Sequence, residues 1–261
     1  MNDRAHPDAG ASASSTPKSP EAAEGPEGTE KTRILSGLTH ELRTPLGSIL
    51  MMSELLAENG AGHLDERETR YAQNIHRAVS DLLKLVDQVG EMARLEAGRV
   101  KIEHREVDPA ALARRIRESH GVTDEGVERD GPRLSVEVAP DAPRTVRSDP
   151  AKILEALDLL LESAAKVSRN GEVRVRLAGA GGAGGDGLAI TVQDVGPPLA
   201  EGEWAALFVP FAAAGPRSSR QFGGSGLGLP LAHSLVTALG GTIAASCTPD
   251  GCSYTVIIPT G

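Results

Sequence analysis

His40, Glu41, Arg43, Thr44 and Pro45 fall within two helical turns of one another, and together they hold the parts of a nucleophilic site. A neutral imidazole attacks an electrophile such as phosphorus through one ring nitrogen while the other carries the proton. The carboxylate next in sequence, Glu41, can hold that proton and make the ring a better nucleophile. Thr44 lies one turn on, at i+4 and on the same helical face as His40, where its hydroxyl can position a water. Pro45 has no N–H to give to the carbonyl of Glu41, so it predicts a bend in the helix beside the histidine. A lone exposed histidine is ordinarily a plain surface residue. The whole string from His40 to Leu46 is what points to chemistry.

The element that must carry this string is a helix. Leu35, Leu38, Leu42, Pro45, Ile49, Met52 and Leu56 follow alternating steps of three and four, the a/d spacing of a helix packed in a bundle. His40 falls off that stripe, so its ring is expected to face solvent. Glu58-Asn59-Gly60 reads as a helix stop, and the acidic residues after His63 suit the start of a second helix. Its stripe is Ile75, Ala78, Leu82, Leu85, Val89 and Met92, and Gly98 marks its end. One such hairpin cannot enclose its own core, so the pattern predicts a homodimeric four-helix bundle.

Asp108-Pro109 then gives an N-cap and first-turn proline, and the texture becomes mixed. Leu134, Val136 and Val138 alternate as a strand, residues 150 to 168 read as a helix, and Val173, Val175 and Leu177 alternate again. The glycine-rich stretch from Gly179 to Gly187 joins strands: it has no lysine and no following helix start to make it a phosphate loop. Leu188 to Val192 is a buried strand candidate. A helix near 228 to 239 and a hairpin of Thr242 to Ser246 with Ser253 to Pro259 complete an α+β layer.

Composition bounds the rest. At 261 residues and 39% hydrophobic, the chain has enough length for one or two domains with a core. Residues 1 to 30 are rich in Ala, Ser, Pro, Gly and Glu and are expected to form a disordered tail. No apolar run approaches the roughly 20 residues of a membrane helix, and the start has no signal-peptide pattern, so the expected location is cytoplasmic. A formal net charge of −9 argues against nucleic acid and a membrane surface as partners. Cys247 and Cys252, flanking Thr248-Pro249-Asp250-Gly251, can lie opposite one another on a hairpin. In a reducing cytoplasm they are expected to be thiols.

His40-Glu41-Leu42-Arg43-Thr44-Pro45-Leu46 closely resembles the phosphoacceptor box of two-component sensor histidine kinases. The resemblance covers residues 31 to 261, with a dimerisation and phosphotransfer hairpin at 31–100 and a catalytic ATP-binding domain at 105–261. It implies a dimeric four-helix bundle followed by an α+β two-layer sandwich of the GHKL ATPase/histidine kinase type. Val192-Gln193-Asp194-Val195-Gly196 resembles the first glycine box, which implies that Asp194 accepts a hydrogen bond from the adenine amino group and Gly196 allows close approach. Leu207-Phe208-Val209-Pro210-Phe211 matches the phenylalanine box, with Phe208 anchoring the lid over the nucleotide. Gly224-Ser225-Gly226-Leu227-Gly228-Leu229 matches the second glycine box, where amides at a helix start face phosphate.

The sequence departs from the family pattern at three places. Pro198 stands where a second glycine is expected in the first glycine box. In the asparagine box, opened by Asp149 and closed by Ala164-Ala165-Lys166, Leu159 and Ser163 stand where asparagines are usual. The resemblance makes the Ser163 position a Mg2+ ligand, and a serine hydroxyl is the weaker oxygen donor. Glu162 is the candidate substitute ligand, set against a plain solvated helix face, and Lys166 keeps its place to neutralise phosphate. The implied activity is ATP-dependent phosphorylation of His40, then transfer to the aspartate of a response regulator receiver domain, with Thr44 supporting dephosphorylation. The upstream sensor or partner is unknown. The alternatives are a phosphotransfer protein or pseudokinase scaffold, and a GHKL ATPase of the chaperone or topoisomerase kind, which leaves the histidine string without a role.

Overall fold

The computed structural model describes residues 26–60, 62–122, 132–168, 171–181, 187–196, 206–210, 226–248 and 250–260. It opens with two long helices, α1 (Pro26–Glu58) and α2 (Glu66–Glu96). α1 begins inside the segment expected to be disordered, with Pro26 at its first position, where a missing N–H costs no intrahelical bond. Pro45 lies within it without ending it. Asn59 then takes a left-handed backbone, φ 47°, and its side-chain amide both donates to Leu64 O (2.8 Å) and accepts from Leu64 N–H (3.0 Å). Asp65 starts α2 with a capping box: it accepts from the N–H groups of Arg67 and Glu68, while Glu68 accepts from Asp65 N–H. Thr39 meets Gly90, Arg43 meets Asp87 and Ser53 meets His76, so the helices run antiparallel.

The seam of this hairpin is not the expected apolar stripe. Among the residues of α1 whose burial is described, Thr39, Leu46 and Ser53 are buried, spaced by sevens, and they face a side of α2 that buries Ala72, Val86, Gly90 and Ala93. Two of the three seam residues in α1 carry hydroxyls, so a count of apolar residues passes over them. The expected stripe is left outside: Leu38, Leu42, Ile49, Met52 and Leu56 are 44–60% exposed, and Ile75 and Leu82 on α2 are similar. One hairpin covers only one face of each helix, and this second face is the one a further pair of helices would bury.

The remainder is a two-layer sandwich. β1 (Arg105–Val107) pairs antiparallel with β3 (Val146–Ser148). Between them in sequence lie α3 (Pro109–Ser119), capped by Asp108, and β2 (Arg133–Val138). α4 (Pro150–Ser168), β4 (Glu172–Gly179), β5 (Gly187–Gln193), α5 (Gly228–Ala238), β6 (Thr242–Thr248) and β7 (Gly251–Pro259) follow. The main sheet has the order β2-β4-β5-β7-β6, with β2 parallel to β4 and the other neighbours antiparallel. Alternate residues point inward: Val173, Val175 and Leu177 of β4, Leu188, Ile190 and Val192 of β5, and Tyr254, Val256 and Ile258 of β7. They meet Ile153, Leu157, Leu160 and Ala164 of α4 and Leu231 and Leu235 of α5.

The cysteines, expected as thiols, form a Cys247–Cys252 disulfide. β6 and β7 place them directly opposite one another. The N–H and C=O of Cys252 both bond to Asp194 on the other side of its strand, which makes Cys247 and Cys252 a non-hydrogen-bonded pair. That is the pairing in which opposed residues come closest, here with Cα atoms 4.1 Å apart.

The hairpin joins the sandwich at its far end. Lys152 of α4 bonds Glu91 of α2 (2.8 Å) and Glu155 (2.8 Å), and Arg94 also pairs with Glu91. Met92 of α2 lies in the sandwich core and accepts a hydrogen bond from Ser234 of α5. Burial pushes the Glu91 carboxyl up, but the bonds from Lys152 and Arg94 outweigh it and hold it below its ordinary range. Burial lowers Lys152 likewise, and its two carboxylate partners more than reverse this. A depressed carboxyl contributes stability above its unfolded pKa and loses it as pH falls through the folded value. Lys152→Ala is therefore expected to destabilise the protein by about 1–3 kcal/mol at neutral pH, measured by urea unfolding. The deficit should shrink as pH falls through the acid range where Glu91 protonates.

Candidate functional site

His40 lies on α1 with an exposed side chain, as do Glu41 and Thr44. Its neighbour Thr39 is buried in the seam, where a Cβ placed on Gly90 would stand 3.2 Å from the Thr39 hydroxyl oxygen. A glycine there lets the two helices approach and anchors the backbone just before the histidine. Arg43, three residues on, bonds Asp87 of α2 through Nε (3.0 Å). This cross-link has no signal in the local sequence, because its partners are 44 residues apart.

Asp194 sits where β5 ends. Its backbone N–H donates to Cys252 O (2.9 Å), and its Oδ1 accepts from the N–H groups of Gly196 (2.9 Å) and Cys252 (3.0 Å). The residue is 1% exposed, and Oδ2 is buried with no hydrogen-bond partner among the described residues. Burial raises the carboxyl above its ordinary range despite the two amides. Gly196 is required where it stands, since a Cβ would lie 2.8 Å from the Val167 side chain. Ser168 at the end of α4 accepts from Val195 N–H (3.2 Å). β5, α4 and β7 thus all fix this one carboxylate.

Tyr254 of β7, 1% exposed, completes the floor. Burial first and the Asp194 charge second hold its phenol above the ordinary range, and the nearby Ser163 hydroxyl opposes them only in part. Sequence reasoning did not pick out this tyrosine; alternation marks Tyr254 only as a core residue. Glu162 pairs with Lys166 at 3.0 Å along α4. Among the described residues no group of three or more His, Cys, Asp or Glu is placed to hold a metal.

Phe208 packs against His233 of α5 with ring centroids 5.7 Å apart. Gly226 has a left-handed backbone, φ 70°. Leu227 is buried, and α5 starts at Gly228 with no side chain capping it, so its first amides suit an anion. Gly224, Pro198 and Phe211 lie outside the described residues. Leu159, in the asparagine box, approaches Gly228. A cleft of about 360 Å³ separates Arg43 and Asp87 of the hairpin from Leu159 and Glu162 of α4, so the histidine-bearing helix and the asparagine box face one another across it.

A family model described as the His Kinase A (phospho-acceptor) domain matches residues 30–98. A second, the Histidine kinase-, DNA gyrase B-, and HSP90-like ATPase, matches residues 148–261. The chain belongs to the histidine kinase family. It is 32% identical to the circadian input-output histidine kinase CikA of Synechococcus elongatus, over 88% of its own length and 30% of CikA's. To the sensor histidine kinase RcsC of Escherichia coli it is 30% identical, over 88% of its length and 23% of RcsC's. Full-length ShkA, solved in complex with AMPPNP, superposes with a TM-score of 0.66 at 26% identity, covering 87% of this chain and 46% of that one. The chain thus spans less than a third of these two curated relatives. No helix among its described residues is long and apolar enough to cross a membrane.

The nucleotide expected of a histidine kinase fits the residues present. A buried acceptor with no donor, Asp194 Oδ2, complements an exocyclic amino group such as that of adenine. The expected metal fits less well, since Glu162 is paired with Lys166 and Ser163 has no cluster of carboxylates beside it among the described residues. Asp194→Asn separates folding from binding. The asparagine oxygen still accepts from the Gly196 and Cys252 amides, but its NH₂ puts a donor where a donor must arrive. A carboxyl whose folded pKa is raised contributes its stability below the unfolded pKa and loses it as pH rises through the folded value. The variant is therefore expected to be at least as stable as the parent at neutral pH by thermal melting, with ATP affinity reduced about tenfold or more by calorimetry.

Proposed function

We propose that this chain is the kinase core of a two-component sensor, transferring the γ-phosphoryl group of ATP to His40 and from there to an aspartate on a response-regulator receiver domain. The observation that carries this reading is the buried Oδ2 of Asp194, without a hydrogen-bond partner among the described residues, set on the same sandwich as the start of α5 and joined to a hairpin that displays His40. Adenine would rest on Asp194, the phosphates near Gly226, Leu227 and Gly228, and Phe208 would anchor the segment over the nucleotide. Lys166 is the cation available to phosphate once it leaves Glu162. Mg2+, the expected metal, would take Ser163 as a ligand, with Glu162 able to join it only on leaving Lys166.

In the first step a ring nitrogen of His40 forms the N–P bond, the P–O bond to ADP breaks, and Glu41 holds the proton on the other ring nitrogen. In the second the N–P bond breaks as the receiver aspartate takes the phosphoryl group. Thr44, one turn from His40, positions the water that later hydrolyses the acyl phosphate. Positioning supplies most of the rate in such transfers. The exposed stripe from Leu38 to Leu56 supports a homodimer, the second hairpin completing a four-helix bundle. The location proposed is cytoplasmic, and the input comes from a sensor or partner of unknown identity.

Incubation with γ-labelled ATP and Mg2+ tests the reading. Acid-labile label is expected on the parent protein and absent from His40→Ala; Glu41→Gln should slow labelling about a hundredfold. Thr44→Ala should label normally but fail to clear phosphate from a receiver. An unlabelled parent that accepts phosphate from a phosphorylated receiver would instead make it a relay. The dimer has its own test: Leu42→Glu and Leu82→Glu together should shift the protein from dimer to monomer in sedimentation while the sandwich keeps its melting transition.

A further inference from the structure

Cys252 does two things at once. Its main chain holds Asp194 from both sides, N–H to carboxylate and C=O to backbone N–H, and its sulfur ties β7 to Cys247 on β6. The turn between the two cysteines is pressed against the same aspartate, for a Cβ on Gly251 would fall 2.0 Å from Asp194 O. The disulfide therefore closes the one hairpin end that orients the carboxylate. Cys252 is 2% exposed, whereas Cys247 is only partly buried, so Cys247 is the more accessible half of the bond to a thiol from solution. Among the described residues β6 is also an edge strand, with β7 as its neighbour in the sheet, and the cross-link fastens its end. In a reducing compartment a disulfide of this kind is transient, as a sensing bond is.

We propose that Cys247–Cys252 is a thiol–disulfide exchange site whose oxidation state sets how firmly Asp194 is held, and with it the affinity for nucleotide. Its co-reactant is a dithiol reductant. One thiolate of the dithiol attacks Cys247 Sγ, the protein S–S bond breaks and Cys252 leaves as a thiolate that takes a proton. The second thiol then displaces Cys247 from the mixed disulfide. Two electrons and two protons pass to the protein, and the reductant ends as a disulfide. With the cross-link gone the end of the hairpin frays, the Cys252 amide no longer fixes Oδ1, and Oδ2 loses its aim. Cys252 is thus a positioning residue for the base-binding carboxylate, and reduction weakens the site without removing any group that touches nucleotide.

This rests on the nucleotide-site reading, and one titration separates the two. AMPPNP is titrated by calorimetry into the full chain after oxidation, after reduction by a dithiol, and after reoxidation, with thiols counted by alkylation in denaturant at each stage. The oxidised protein is expected to show no free thiol and the higher affinity. Reduction should expose both cysteines and weaken binding by up to about tenfold, the upper end for one ordinary hydrogen bond, and reoxidation should restore it. Cys247→Ser should bind as the reduced parent does, whatever the redox state. Equal affinity in both states, or free thiols persisting under oxidant, overturns the exchange site alone. No binding in any state overturns the nucleotide reading and this inference with it.

Discussion

Two backbone amides from different parts of the fold converge on one oxygen of Asp194, and the other oxygen is left bare in a buried site. Burying a carboxylate is unfavourable unless its oxygens are satisfied. The sandwich satisfies one and leaves the second for an incoming donor. To do so it needs β5 to end at Asp194, Gly196 to approach Val167, Ser168 to fasten the chain after the aspartate, and β7 to run alongside with Cys252 in register. The alternating apolar residues of β4, β5 and β7 keep that register, since a slip by one residue would turn the core outward.

The hairpin is built on a different balance. Its internal seam mixes small and hydroxyl residues, Thr39, Ser53 and Gly90, with Leu46 and Val86, while most of its larger apolar residues face away from the chain. A helix pair that keeps its bulkiest side chains exposed is incomplete alone. The ionic contact of Lys152 with Glu91 and the burial of Met92 in the sandwich core join the two parts at the far end of α2. A cleft lies between Arg43 and Asp87 of the hairpin and Leu159 and Glu162 of α4. Attachment at one end, with a cleft between the two parts, is an arrangement that lets a phosphoryl donor and acceptor meet and part.

Much of this was legible in the residues. Two helices, the strands at 134–138, 173–177 and 188–192, the helix at 150–168 and the closing hairpin all follow from periodicity, and the structure places each near its expected bounds. His40 is exposed as the heptad offset requires. Other features left no local trace. β1 and β3 are three-residue strands, too short for alternation to register. The Arg43–Asp87 bond and the hold of Cys252 on Asp194 join residues 44 and 58 positions apart. α1 starts at Pro26, ahead of the helical periodicity, since a composition poor in large apolar residues does not forbid a helix that continues into a patterned one.

By itself the sequence determined which chemistry is on offer: an imidazole with a neighbouring carboxylate, an aspartate ahead of a glycine, and glycines at a helix start. Those follow from residue types at short spacing, because one helical turn or one tight turn fixes their geometry. The tertiary structure decided what each group is free to do. It paired Glu162 with Lys166, left Asp194 Oδ2 without a partner among the described residues, set the bundle stripe on the face a second hairpin would cover, and bonded two cysteines expected to be thiols. These outcomes depend on strand register and helix rotation, which are set by the packing of the whole core and by no short stretch of the chain.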